Sequence, residues 1–324
     1  MTIGIVGLGA VGARLARHLG PDLVLHDARE SQAVALAARI GAEAADLPAI
    51  AARSTLIVLA GAAPQFDLAR LFLASGASVL TTSDDLDDCA ALLTLDELAV
   101  EHRATLVVGT AMAPGLSGLL GASLAMRCDT VDEVHIAAHG TGGPDCARQH
   151  HRALAGLADG WQDGEWIRRP AGSGRELCWF PEPIGARDCY RASMPDPALL
   201  HAVMPDVLRI SARMSATRRD RLTARLPMLS PPHREGGIGA LRVEVRGSRG
   251  GARVSVVAGV AERAAAVAAA TSAAVAAAIA DGRWRPDPGA IVLGDPRCPT
   301  GMLLADIARR GVALQEYAGA EHFT

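Results

Sequence analysis

Apolar runs alternate with amphipathic stretches over the first third of the chain. Continuous apolar runs of roughly four to eight residues predict buried strands, and apolar residues three or four positions apart predict helices. The predicted strands are residues 3–6, 23–26, 54–61, 77–83 and 105–108, and the helices between them are 13–19, 31–40, 67–74 and 85–102. Strands that alternate with helices in this way form a parallel sheet, and ligands gather at the carboxyl ends of its strands.

The pattern changes after about residue 125. A strand is predicted at 131–138, and the alternating run 240–247 and its partner 254–258 flank Gly250 and Gly251 as a hairpin. The Ala-rich run 264–280 follows as a helix. The tail contains a short strand (290–293), a helix (302–310) and a last strand (312–317). These elements are too few to bury a core of their own, so we expect the tail to pack on the first sheet.

The turn after the first strand carries the motif G-x-G-x-x-G. Gly7 allows a sharp turn, Gly9 lets the backbone approach a pyrophosphate, and Gly12 lets the next helix pack on the strand. Asp27 ends the second strand 20 residues after Gly7, where its carboxylate can accept hydrogen bonds from ribose hydroxyls. The predicted cofactor-binding residues are Gly7, Gly9, Ala10, Val11, Gly12, Asp27, Arg29, Ala60, Gly61, Thr82 and Ser83. The alternative is a tight turn without a ligand.

The glycine motif predicts a dinucleotide cofactor, and the change of pattern after residue 125 together with the short tail divides the chain into three segments. We expect a dinucleotide-binding domain of the Rossmann type at 1–125, an inserted α+β domain for substrate binding and dimerisation at 126–284, and a returning segment at 285–324. The charge of Asp27 favours NAD because it repels a 2′-phosphate. Arg29 offsets that repulsion if it reaches the phosphate, so NADP is the alternative.

Composition narrows the partners and the chemistry. The net charge of −3 gives no basic surface for nucleic acid, and no predicted segment has the character of a membrane anchor. All 32 basic residues are arginine, so no lysine can form a Schiff base, and any cationic anchor is a guanidinium. The six cysteines form no C-x-x-C pair, and a strand begins at residue 3. We therefore expect reduced thiols, no signal peptide and a cytoplasmic protein.

Four stretches resemble the saccharopine dehydrogenase-like family, the group of saccharopine reductases, carboxynorspermidine dehydrogenases and lysine 6-dehydrogenases. These stretches are residues 7–12, residues 109–117 with the helix after them, the strand after Gly237, and residues 303–311. The resemblance implies a nucleotide domain, an inserted α+β domain and NAD(P)-linked chemistry at a carbon–nitrogen bond. The lysine-bearing elements usual in the family are absent, and residues 139–225 do not align with it.

Candidate substrate and catalytic residues lie at strand ends and in turns. Pro114 can begin a helix whose positive end attracts a carboxylate, with a hinge cap as the alternative. The candidate substrate-binding residues are Thr110, Pro114, Gly115, Ser117 and Arg234. His139 ends a strand before a glycine-rich turn and is the candidate proton donor or acceptor, followed by Tyr190. A structural, hydrogen-bonded role is the alternative for both.

Cys146 and His150 are four residues apart on a predicted helix, which is metal-ligand spacing, and His151 follows. Cys146, His150 and His139 would make three ligands and no fourth is evident, so we expect no metal.

These observations predict an NAD(P)-dependent oxidoreductase that interconverts an amine and an imine on a small, amino-acid-like substrate by hydride transfer. The expected assembly is a homodimer formed through the antiparallel sheet. Two alternatives stay open: a nucleotide-binding regulatory or scaffold protein without turnover, and an enzyme that holds NAD tightly as a recycled prosthetic group.

Overall fold

The computed structural model describes residues 1–228 and 231–317. The first 125 residues contain these elements: β1 (Ile3–Val6), α1 (Gly12–Leu19), β2 (Leu23–His26), α2 (Glu30–Ile40), β3 (Glu43–Ala44), α3 (Leu47–Arg53), β4 (Leu56–Leu59), α4 (Phe66–Ala74), β5 (Ser78–Thr81), α5 (Leu86–Leu93), α6 (Asp96–Glu101), β6 (Thr105–Val108) and α7 (Leu116–Ala125). The later elements are β7 (Thr130–His139), α8 (Pro144–Ala153), β8 (Leu157–Gln162), β9 (Glu165–Pro170), β10 (Glu176–Trp179), β11 (Ala186–Arg191), α9 (Asp196–Val203), β12 (Arg209–Ser215), α10 (Arg218–Thr223), β13 (Ile238–Arg249), β14 (Ala252–Arg263), α11 (Ala264–Ala280), β15 (Gly289–Val292), α12 (Thr300–Arg309) and β16 (Gln315–Tyr317).

Seven parallel strands form the first sheet in the order β15-β6-β5-β4-β1-β2-β3. Strands β1, β4 and β6 are buried along their whole length, as their continuous apolar sequences predict. On one side of β1 the sheet continues with β2 and β3, and on the other side it continues with β4, β5, β6 and β15. Ligands bind in the crevice where the strand order reverses, so this topology places the site at the carboxyl ends of β1 and β4. The predicted α/β class is confirmed.

The second sheet is mixed and runs in the order β10-β11-β12-β7-β13-β14-β16, with β8 paired to β12 and β9 paired to β8. Strands β12 and β7 pair in parallel, and the other pairs are antiparallel. The predicted hairpin is present as β13 and β14, which pair over 12 residues each. Gly250 and Gly251 connect them with φ of +58° and +80°, a backbone that two-residue hairpin turns require. Helices α7, α9 and α11 pack on this sheet.

The C-terminal part of the chain joins both sheets. β15 pairs in parallel with β6 at the edge of the first sheet, whereas β16 pairs with β14 in the second sheet. The Ala-rich helix α11 packs on α1 and β4, so it lies against the first sheet as well as the second. Ala side chains permit this close double contact because they add little width to a helix. Residues 318–324 of the expected returning segment lie outside the described residues.

Two local expectations differ from the structure. The region 85–102 forms two helices, because Thr94 turns back on α5 and donates its hydroxyl to Ala91 O at 2.7 Å. Helix α7 begins at Leu116, two residues after the expected start at Pro114. No helix within residues 1–228 and 231–317 is both long and apolar enough to cross a membrane.

Candidate active site

In the turn between β1 and α1, two of the three motif glycines pack tightly against backbone atoms, and the remaining one borders open space. Gly7 has a φ of +92°, and a Cβ there would lie 2.5 Å from Gly61 N. A Cβ on Gly12 would lie 1.9 Å from Gly7 O. A Cβ on Gly9 would meet no atom within 4 Å. The first and third glycines are therefore required by the fold, whereas the second borders empty space that a ligand can fill.

Asp27 lies beside this turn at the end of β2. Its Oδ2 accepts a hydrogen bond from Leu8 N at 2.8 Å, and its Oδ1 accepts one from Arg29 N at 2.9 Å. The Asp27 side chain is 11% exposed and the Arg29 side chain is 73% exposed. The carboxylate is thus held in place by the backbone, and the exposed Arg29 guanidinium pairs with it, with Nε 3.6 Å from Asp27 Oδ1.

An outer cavity of about 840 Å³ opens next to the glycine turn. Arginines dominate its charged lining: Arg14, Arg17, Arg29, Arg39, Arg148 and Arg234. Arg14 pairs with Glu235 and Arg148 with Asp145, which neutralises part of this charge. Arg234, expected at the substrate, lies instead at this end of the molecule.

The inner cavity has a volume of about 270 Å³ and joins the glycine turn to helix α8. Its lining comes from the carboxyl ends of the first sheet and from the loop and helix that follow β7: Gly9, Ala10, Val11, Ala60, Gly61, Ala62, Ala63, Thr82, Ser83, Asp84, Ala111, Met112, Ala113, Ala138, Gly140, Gly142, Gly143, Pro144, Asp145, Cys146, Arg148, Gln149, His150 and Arg152, with Ala264 and Ala268 of α11. Seven of the predicted cofactor-binding residues are among them. One continuous cleft therefore connects the turn to a set of polar side chains.

Three of those polar side chains form a cluster. Ligand atoms of Asp84, Cys146 and His150 all lie within 4.8 Å of one another, and Asp84 Oδ2 is 3.7 Å from His150 Nε2. Asp84 follows β5, and the other two lie one turn apart on α8. Helix α8 therefore approaches the loop that follows β5, where Asp84 meets His150.

Burial sets the protonation of this cluster. Burial raises the pKa of Asp84, and the neighbouring His150 acts in the opposite direction. Burial lowers the pKa of His150, opposed by Asp84. It also raises the pKa of the Cys146 thiol well above its ordinary value, and the Asp84 charge adds to that shift. Without a ligand, Cys146 is therefore a thiol and His150 a neutral imidazole at neutral pH.

The predicted substrate-binding residues around Pro114 are buried in the protein and do not line the inner cavity. Thr110 Oγ1 donates to Thr81 O at 3.0 Å. Ser117 Oγ donates to Asp196 Oδ1 at 2.6 Å. The cavity is lined instead by the preceding residues, Ala111 to Ala113. Helix α7 begins after Gly115, and its first turn is buried against the start of α9, where Ser117 meets Asp196.

His139 and Tyr190 also lie away from the cavity. His139 Nδ1 is 2.6 Å from Ser215 Oγ, and its ring packs against Phe180 at 6.0 Å. Successive residues of a strand point to opposite faces, so Ala138 lines the cavity and His139 does not. Tyr190 is buried on β11 beneath the Arg221 guanidinium, 4.0 Å from the ring centre.

Asp84 is the residue that reasoning from the sequence missed. It directly follows Ser83 at the end of a predicted strand, and that position was the available signal. Its partners on α8 were identified by their spacing, but with His139 as the third member. Gln32 at the outer cavity was also missed. Its Nε2 donates to Leu8 O, which links α2 to the glycine turn.

No protein-family model matches this chain, and no curated protein matches its sequence. Solved structures do match over nearly the full length. Apo saccharopine dehydrogenase (L-Glu forming) from Saccharomyces cerevisiae superposes with a TM-score of 0.74 and 13% identity, covering 98% of this chain and 100% of that one. The chain has a saccharopine dehydrogenase-like fold.

Two further structures share the arrangement less closely. DAP dehydrogenase of C. glutamicum, in complex with DAP, has a TM-score of 0.54 and 14% identity and covers 96% of this chain and 99% of its own. An engineered D-amino acid dehydrogenase bound to NADP⁺ has a TM-score of 0.53 and 15% identity, with coverage of 96% and 99%. These likenesses establish the fold, which the resemblance of the four sequence stretches had indicated.

Proposed function

We propose that the protein is an NAD(P)-dependent oxidoreductase that interconverts an amine and an imine on an amino-acid-like substrate. The observation that carries the proposal is the inner cavity, which runs from Gly9 to the cluster of Asp84, Cys146 and His150. A dinucleotide needs such a path from its phosphates to its reactive ring. Neighbours of the same fold are named for saccharopine, DAP and D-amino acids, all of which contain amino groups.

The residues around the glycine turn fit a dinucleotide. The space beside Gly9 accepts a pyrophosphate, and the N-terminus of α1 has no side-chain cap competing for its N–H groups. Asp27, beside the same turn, would accept hydrogen bonds from ribose hydroxyls. When bound, the nicotinamide supplies or accepts the hydride.

The chain itself would bind the substrate and handle a proton. The first turn of α8 begins after Gly143 and presents its N-terminus to the cavity, where it favours a substrate carboxylate. His150 and Cys146 lie at the same cavity and can exchange a proton with a substrate nitrogen. This assigns proton transfer to the α8 cluster in place of His139.

Binding of the reduced cofactors tests the proposal. Titration of the purified protein with NADH and with NADPH, followed by cofactor fluorescence, should show saturable binding. Absence of binding by either cofactor would overturn it. If a nucleotide co-purifies and never exchanges with added cofactor, the protein holds it as a prosthetic group.

We also propose that the protein forms a homodimer through the second sheet. Its edge strand β10 exposes Trp179 at 61% and Leu177 at 55%, an apolar surface of the kind that partners cover. Sedimentation at micromolar concentration should show a dimer. A monomer there would contradict the proposal.

A further inference from the structure

The cluster at the inner end of the cavity consists of a carboxylate, a thiol and an imidazole. Asp84 comes from the end of β5, and Cys146 and His150 from one face of α8. The His150 side chain is only 15% exposed and that of Asp84 19%. Both border the inner cavity, as Cys146 does. The fold therefore brings three side chains of metal-binding type to one point inside a cleft.

The spacing of the three ligand atoms fits a small divalent cation. Zinc binds nitrogen and oxygen at about 2.0–2.2 Å and sulfur at about 2.3 Å, so tetrahedral neighbours are about 3.3–3.6 Å apart. Asp84 Oδ2 and His150 Nε2 are already 3.7 Å apart, and no pair in the cluster exceeds 4.8 Å. Shortening the ligand-atom separations by at most about 1.5 Å, through small side-chain rotations, would complete the geometry.

The charge balance of the bound site fits a divalent cation. With the ion bound, Cys146 is a thiolate beside the Asp84 carboxylate, and two buried negative charges are tolerated only when a positive charge pairs with them. The arginines that share the cavity have other partners: Arg148 pairs with Asp145, and Arg152 donates to Gln149. A divalent ion would make the site of Cys146, Asp84 and neutral His150 electrically neutral.

We propose that Asp84, Cys146 and His150 bind a zinc ion whose fourth coordination position faces the inner cavity. Within residues 1–228 and 231–317 no fourth His, Cys, Asp or Glu joins the group. Three protein ligands with an open position are the arrangement of catalytic zinc sites, whereas structural sites are closed by four. Binding requires Cys146 to release its thiol proton to solvent, so zinc uptake releases protons.

The open position gives the ion access to a bound substrate. Zinc there would accept a carboxylate oxygen or a nitrogen lone pair of the substrate as a Lewis acid. This role rests on the proposed function and would replace direct proton transfer by His150 and Cys146, because side chains that ligate the ion cannot also carry the substrate proton. The zinc site itself does not rest on the proposed function, because it can be measured without cofactor or turnover.

The test uses the full-length protein stripped with a chelator and then titrated with Zn²⁺ in competition with a chromophoric chelator. We expect one Zn²⁺ per chain. Cys146→Ser, His150→Gln and Asp84→Asn should each weaken affinity by more than the roughly 10–100-fold that changes outside the ligand shell cause. The matched controls Cys128→Ser, His151→Gln and the exposed Asp67→Asn on α4 should leave it unchanged. Thermal midpoints without metal show whether each variant is folded.

Cobalt substitution gives a second readout. Co²⁺ added to the stripped wild type should produce a thiolate-to-cobalt charge-transfer band, and Cys146→Ser should abolish it while the folded fraction is retained. Failure of the wild type to bind Zn²⁺, or unchanged affinity in Cys146→Ser, would overturn the zinc site. Stripped protein that binds NADH but no Zn²⁺ would overturn this inference and leave the proposed function standing.

Discussion

Two alanine substitutions in the glycine turn should have opposite effects on stability and on cofactor binding. Gly12→Ala places a Cβ 1.9 Å from Gly7 O, whereas real Cβ contacts are essentially never under 3.0 Å. The two backbone segments must separate by about 1.1 Å, and neither is a side chain that can swing away. Overpacking of this kind costs about 1–3 kcal/mol, so the thermal midpoint of this 324-residue chain should fall by roughly 1.5–4.5 °C.

Gly9→Ala adds the same methyl group to open space. No protein atom lies within 4 Å of that Cβ, so the midpoint should stay unchanged or rise slightly, because alanine restricts the unfolded chain. The methyl would instead occupy the approach of the pyrophosphate. Affinity for the reduced cofactor should fall at least about tenfold, or about 1.4 kcal/mol.

The assay combines thermal unfolding with fluorescence titration of NADH and NADPH on both variants. Gly301→Ala on α12 is the matched control, since its Cβ also meets nothing within 4 Å and it is far in the chain from the turn. It should leave cofactor affinity unchanged. Wild-type affinity in Gly9→Ala would refute the placement of the pyrophosphate, and wild-type stability in Gly12→Ala would refute the turn geometry.

Three further outcomes follow from single side chains. Asp27→Ala should shift cofactor preference from NADH towards NADPH in the same titration, because Arg29 would then face a 2′-phosphate without a competing carboxylate; an unchanged ratio would place Asp27 away from the ribose. Burial raises the pKa of Asp196 to about 6, opposed by the hydrogen bond from Ser117. The folded state thus binds the proton more tightly than the unfolded chain, whose Asp titrates near roughly 3.9, and stability should fall by about 2–3 kcal/mol as pH rises from about 4 to 6. Thermal midpoints measured against pH should show this loss in the wild type and not in Asp196→Asn; parallel curves would contradict it. His139→Ala should keep most of the turnover rate, since the ring faces away from the cavity. A fall in turnover of roughly 10²-fold or more at unchanged cofactor affinity would show that His139 takes part in proton transfer.

The parallel sheet and its glycine turn could be predicted because their signals are local. Apolar runs such as β1 and β4 are buried whatever their neighbours are, and Gly7, Gly9 and Gly12 act within six residues. The hairpin of β13 and β14 could be predicted for the same reason, since the two glycines that form its turn lie directly between its strands.

The candidate active site could be predicted only in part, because its members meet through tertiary packing. Cys146 and His150 share a helix and were recognised by spacing, but Asp84 is more than 60 residues earlier in the chain. Ser117 was expected at the substrate, and its true partner, Asp196, is 79 residues away. His139 was misplaced for a different reason: the register of β7 decides which face of the sheet a residue joins, and a shift of one position exchanges the faces.

Transfer of deuterium from reduced cofactor to a metabolite tests the central claim most directly. The protein would be incubated with NADH or NADPH deuterated at the transferable position and with a cell extract, and the products analysed by mass spectrometry. We expect deuterium at the nitrogen-bearing carbon of an amino compound, and less of it with Gly9→Ala than with the wild type when the cofactor is kept below the wild-type Kd. Saturable cofactor binding with no deuterium transferred to any metabolite would contradict it and favour a nucleotide-binding protein without turnover.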